Sequence, residues 1–172
     1  MRSLNYFSQA RQTTNEKNSI LLAFILLPSL SYANLSISPE LKLGPYKGAG
    51  IQVGLTNTLG FDAVFAELAK TRYESKIYDE EIYSYRVGFQ QMFGASKQHG
   101  FQASLGLAQY DGYLREEHKT ANGLSIGGSY VFQANQHLFL RAGVDFNVFD
   151  TNATYIPSDT SPNFNLGFGL RF

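Results

Sequence analysis

The chain has 172 residues, enough for one domain. Apolar residues make up 44%, charged residues only 16%, and the formal net charge is zero, so nothing favours nucleic acid as a partner. There is no cysteine, which excludes disulfides and cysteine metal sites, while 16 Gly, 11 Tyr and 14 Phe against 5 Pro favour many strands joined by tight turns.

The amino-terminal part reads as an address. Ser19–Ala33, SILLAFILLPSLSYA, has an apolar core at 20–27, then Pro28 and the small-residue pattern Ser31-Tyr32-Ala33. Small residues at the third and first positions before a cut suit a signal peptidase. Arg2, Arg11 and Lys17 precede the core, with one acid, Glu16. A transmembrane anchor is the competing reading, but spanning takes about 20 apolar residues. The expectation is a cleaved secretory signal at 1–33 and a mature domain at 34–172. The mature domain keeps 11 of the 14 bases and 13 of the 14 acids.

Beyond Ala33 no apolar residues recur at helical spacing. Eight alternating segments appear instead, near 35–43, 47–57, 61–72, 80–93, 100–110, 122–133, 137–149 and 162–172. Short connections at 58–60, 94–99 and 134–136 alternate with longer polar ones at 73–79, 111–121 and 150–161. The first connection, 44–46, is short on the long-loop side. Neighbours joined this way form an antiparallel up-and-down meander.

The faces differ sharply. In the second segment Ala49, Ile51, Val53 and Leu55 oppose Gly48, Gly50, Gln52 and Gly54. In the sixth, Leu124, Ile126, Tyr130 and Phe132 oppose Gly123, Ser125, Gly127 and Ser129. The third is ambiguous: Phe61, Ala63, Phe65 and Glu67 share one side, Val64, Ala66, Leu68 and Lys70 the other. We place Glu67 with the polar faces, because a carboxylate facing lipid is costly whereas Lys70 near a strand end can snorkel.

A soluble barrel alternates too, with its apolar face inward. Its outside would then be rich in Lys, Arg, Glu and Asp, roughly 25–35% of the surface. The polar faces here are mostly small and uncharged, suited to a crowded interior. The apolar faces are continuous and bulky, suited to lipid tails. Aromatic residues collect at both ends: Phe61, Phe93, Phe101, Phe132 and Phe172 by the short turns, and Tyr46, Tyr73, Tyr78, Tyr83, Tyr110, Tyr113 and Phe149 by the long loops. Two such girdles flank the apolar band of membrane barrels. The fold class expected is all-β, an eight-stranded antiparallel up-and-down transmembrane β-barrel.

The stretches FLRAGVDFNVFD (139–150) and FNLGFGLRF (164–172) carry a resemblance. The mature chain resembles the small eight-stranded outer-membrane barrels of Gram-negative bacteria, of the OmpA, OmpX and opacity-protein type. That resemblance implies an outer-membrane location, contact with its lipid and lipopolysaccharide, and insertion by the barrel-assembly machinery. In that family a terminal Phe with alternating apolar residues upstream is the assembly signal, which Phe164, Phe168, Leu170 and Phe172 match. The motif specifies the type of barrel and no one function.

Eight strands leave an interior that side chains fill. The inward charges expected are Glu40, Lys42, Glu67, Arg86, Arg141, Asp145 and Arg171, four bases and three acids. They must pair, since an uncompensated buried charge is expensive. Gln52, Gln90, Gln102, Ser104 and Asn147 complete a structural plug on this reading. A gated ion path is the alternative. Lipid A deacylation would need a His–Ser pair with an acid. His99 and His137 fall at the wrong end, His118 sits in a charged loop, and the deacylases' His-x-Ser-Asn stretch is absent. No enzyme activity, cofactor or metal is therefore expected; YDEE (78–81) and REEH (115–118) read as solvated charge runs. The loops at 73–79, 111–121 and 150–161 remain the surface for an extracellular ligand. Tyr78, Tyr110, Tyr113 and Tyr155 would supply contact area or interfacial anchors there.

Overall fold

The computed structural model describes residues 35–172; the expected signal segment at 1–33 lies outside the described residues. Eight strands close into a barrel in chain order: β1 Leu35–Leu43, β2 Lys47–Thr58, β3 Phe61–Glu74, β4 Tyr78–Phe93, β5 His99–Leu114, β6 Glu117–Gln133, β7 Leu138–Val148 and β8 Thr160–Arg171. Every neighbouring pair is antiparallel, and β1 pairs with β8 to seal the sheet. Closure removes the edges whose unpaired backbone groups a bilayer cannot satisfy.

The alternation has a physical consequence. Leu41, Leu68, Val87, Leu105, Leu107, Leu124, Phe164 and Phe168 are exposed, while Glu40, Lys42, Glu67, Arg86, Arg141 and Asp145 are buried. The barrel is inside-out with respect to a soluble protein. β3 faces as expected through Ala63, Phe65 and Glu67, all buried, with Leu68 and Lys70 outside. Phe61 departs from that face: it is exposed and stacks on Phe89 at 4.7 Å. The β3–β4 ladder ends at Ala63 opposite Gln90. Asp62 takes over beyond it, accepting from the Met92 amide at 2.8 Å.

Two of the expected loops shrink. The strands flanking 73–79 and 111–121 run on, leaving Ser75–Ile77 and the two residues Arg115-Glu116 as turns. Glu74 pairs with Asp79, Tyr113 with His118 and Leu114 with Glu117. Arg115, with φ 56°, makes the tight reversal. These strand ends are wetted on their outer face, so the apolar alternation that marks a strand fades there. The third loop follows β7 and contains a single 3-10 turn, Thr151–Ala153, capped by Asp150, which accepts from the Asn152 amide at 2.9 Å.

Candidate functional site: the filled lumen and its two ends

The interior is stacked in layers. Its centre is a charge cluster of three acids and three bases. Register makes it: Glu67 lies directly opposite Arg86 across β3–β4, and opposite Gln52 across β2–β3. Lys42 reaches Glu40 at 2.6 Å, Glu67 at 3.0 Å and Asp145. Arg86 pairs with Glu67 and, at 2.9 Å, with Asp145. Arg141 pairs with Glu40 at 2.8 Å, approaches Glu67 at 3.8 Å, and donates from Nε to the Ser38 hydroxyl at 3.0 Å. Each base touches at least two acids, so charge is neutralised inside the cluster. Glycines make the room: a Cβ on Gly127 would sit 2.7 Å from Asp145, and one on Gly167 would sit 2.7 Å from Arg141.

Uncharged polar groups flank this centre. Asn147 accepts from Ser84 at 3.1 Å and from Ser125 at 2.7 Å, and Arg86 donates to Ser125 at 3.3 Å. Towards the chain termini, Gln102 bridges Gln52 at 3.1 Å and Gln90 at 3.0 Å. Ser104 is only weakly tied, to the Gly127 carbonyl at 3.5 Å.

Apolar clusters close both ends. At the loop end Tyr46, Ile82, Ala108, Tyr110, Phe149 and Ile156 are buried together. Tyr46, Tyr110 and Phe149 thus leave the outer aromatic girdle to which the sequence assigned them and point inward. They do so because the loop after β7 folds over the mouth: Ile156 is buried, the Tyr155 amide donates to the Tyr110 hydroxyl at 3.1 Å, and Lys119 donates to the Asn152 and Thr154 carbonyls at 3.1 and 3.0 Å. That loop is a cover rather than a free arm. Glu80 joins it beneath, accepting from the Tyr46 hydroxyl, so YDEE is not wholly solvated. Its neighbours are: Asp79 pairs with Arg72 at 2.8 Å and Glu81 with Lys70 at 2.8 Å. The Arg72 guanidinium holds the Asp79 carboxyl, on the outer rim, below the usual carboxylate range. At the terminus end Met92, Val131 and Phe139 form the second cluster.

Arg171 stands apart from the central cluster. Its guanidinium lies over the Phe139 ring at 5.3 Å, at the terminus-end mouth. Sequence reasoning missed Glu80, Met92 and Phe139 as lumen residues. Parity along β4 and β7 was the available signal for all three, since Glu80 and Met92 share the phase of Arg86, and Phe139 that of Arg141.

Phe164, Phe168, Leu170 and Phe172, which the sequence offered as an assembly signal, are all exposed. Tyr73, Tyr113 and Ile77 are exposed near the loop end, and Tyr113 stacks on His118 at 4.3 Å. His118 also lies 3.3 Å from Asp111, and His99 bonds to the Tyr130 hydroxyl. Among the described residues, no group of three or more His, Asp or Glu is arranged to hold a metal ion.

An inside-out, closed, eight-stranded meander with a polar, filled interior defines the small outer-membrane barrel fold. Solved structures with this fold bear out the likeness. The attachment invasion locus protein Ail of Yersinia pestis superposes with TM-score 0.58 at 17% identity, over 81% of this chain and 97% of that one. The N-terminal β-barrel domain of Pseudomonas aeruginosa OprF gives 0.54 at 17% identity, over 81% and 97%. Neisserial surface protein A gives 0.55 at 12% identity, over 81% and 96%. No protein-family model matches the chain, and no curated protein matches it.

Proposed function

We propose that this protein is a non-enzymatic outer-membrane barrel of a Gram-negative envelope, with a structural and surface-interaction role and a lumen that does not conduct. One observation carries the reading: the interior is occupied along its length, by a neutral cluster of six charges and an apolar layer beyond it at each end. An ion path would have to break that cluster and pass the buried Tyr110 and Phe139. The exposed Tyr73 on β3, Ile77 in the turn after it and Tyr113 on β5 supply contact area for an extracellular ligand. The apolar girth supports residence in lipid, with lipopolysaccharide in the outer leaflet, and the exposed Phe164, Phe168, Leu170 and Phe172 support recognition by the assembly machinery.

Planar-bilayer recording of the purified barrel tests the closed lumen. The expected result is no reproducible conductance. Steady unitary currents that change with Arg141→Ala or Glu67→Ala would establish a narrow channel instead. Location is read separately, from outer-membrane fractions and from gel migration that changes on boiling. A protein recovered in the soluble periplasm, migrating identically boiled and unboiled, would overturn the membrane reading.

A further inference from the structure

The outward row of β3 reads Leu68, Ala66, Val64, Asp62 towards the terminus end of the barrel. Its middle is narrower than its neighbours in register. Ala66 lies between Val53 on β2 and Val87 on β4, and Val64 lies between Leu55 and Phe89. Small side chains between larger ones leave an apolar furrow of about 600 Å³ on the outer wall. Phe61, stacked on Phe89 at 4.7 Å, lines its terminus end.

Phe61 also lines a second recess, of about 290 Å³, with Asn57, Asp62, Gln91 and Lys97. This one is polar and sits between the turns at 59–60 and 94–98. The floor of the furrow therefore runs out onto a carboxylate. Asp62 and Lys97 pair at 2.8 Å, so the recess carries no net charge. Both keep capacity for a further bond. The Lys97 ammonium is exposed and spends one of its three donors on Asp62. Asp62 Oδ2 accepts from the Met92 amide and the Gln91 side chain, whereas Oδ1 accepts from Lys97 alone. Gln91 gives its amide nitrogen to Asp62, which leaves its oxygen as an acceptor.

We propose that furrow and recess together seat one glycerophospholipid whose headgroup carries a phosphate and a primary ammonium, as phosphatidylethanolamine does. The site rests on the membrane reading given above. An acyl chain lies over Val64 and Ala66. The phosphate accepts from Lys97, and the ammonium donates to Asp62 Oδ1 and Gln91 Oε1. A side-by-side cation and anion complement a zwitterion. Phosphatidylglycerol would satisfy Lys97 but set a second negative charge against Asp62. Phosphatidylcholine is zwitterionic too, yet its quaternary ammonium has no N–H to give. The furrow accounts for holding a lipid, and the recess for choosing among lipids.

The test is native mass spectrometry of the folded barrel in detergent. The probes are phosphatidylethanolamine, phosphatidylglycerol and phosphatidylcholine with identical acyl chains. The first molecule of phosphatidylethanolamine is expected to bind about fivefold more tightly than either of the others, the scale of one exposed ion pair. Lys97→Gln, in an exposed turn, should bring the three lipids level. Ala66→Phe, which fills the furrow from the outer wall, should weaken the first binding of all three. Equal binding of the three lipids by the parent barrel, a preference that survives Lys97→Gln, or an unchanged response in Ala66→Phe would overturn the proposal. Tighter binding of phosphatidylglycerol would overturn it in favour of a general anion site. A lipid-free dimer would overturn it by assigning the furrow to a second copy. Any of these results in a barrel that still fractionates with the outer membrane and shifts on boiling sinks the lipid site and leaves the membrane reading standing.

Discussion

Replacing Lys42 by methionine removes the one cation that touches all three acids of the central cluster. The ammonium sits 2.6 Å from Glu40 and 3.0 Å from Glu67, and also contacts Asp145. At an effective dielectric constant near 20, each such contact is worth roughly 5–6 kcal/mol of gross attraction. Most of that only offsets the cost of taking the ions out of water. What the variant exposes is the imbalance: three buried carboxylates facing two guanidiniums. Breaking a buried pair in this way costs about 3–5 kcal/mol. Urea unfolding of the barrel in lipid vesicles, followed by tyrosine fluorescence and gel migration, reads the loss. The midpoint should fall on the order of 2 M, from slopes of about 1–3 kcal/mol per molar urea. Adding Asp145→Asn restores two acids against two bases, and should recover about 1–3 kcal/mol, the usual range of coupling within one network. A single variant within about 1 kcal/mol of the parent, or a double variant no better than the single, would refute the claim that the cluster is held by charge balance.

Four further variants test the packing of the wall, the cover over the loop-end mouth and the terminal residue. Gly106→Ala should cost about 1–3 kcal/mol or more, because its Cβ would lie 1.9 Å from the Tyr85 carbonyl, a backbone atom that cannot swing away. Gly128→Ala, where the nearest atom is 4.0 Å off, should be neutral or slightly stabilising in the same urea assay. Tyr110→Phe removes the acceptor of the Tyr155 amide, costs about 0.5–1.5 kcal/mol, and should speed hydrogen exchange at Tyr155 severalfold while Phe139 and Val131 stay protected. Phe172→Ser leaves every lumen contact in place, so urea stability of refolded protein should hardly change. The yield of heat-modifiable barrel in cells should fall; an unchanged cellular yield would remove the assembly role from Phe172.

The strand count and the inward set were legible because the outer and inner faces obey different chemistry at every second residue. Glu67 illustrates the reasoning: one carboxylate set the facing of β3 against the competing phase of Leu68. Phe61 shows its limit, since parity fails where Asp62 replaces the ladder and turns Phe61 outward. The lengths of β5 and β6 were not legible. Above the apolar band the outer face meets water, and outward pairs such as Asp111 with Thr120 carry no apolar alternation to read. Tyr110 and Phe149 were misplaced for a related reason. An aromatic near a loop serves equally as an interfacial anchor or a lid, and only the chain folding back through Ile156 decides between them.

By itself the sequence determined that a sheet would form, that it would close, and that its outside would be apolar. Period-two alternation is local chemistry, and each residue's side follows from its neighbours alone. Only the tertiary structure decided which charges meet. Lys42 and Asp145 are 103 residues apart, and their contact depends on β1 and β7 both pairing with β8 in fixed register. The same closure left Arg171 outside the balanced cluster, over Phe139, because its place at the last residue of β8 puts it at the mouth.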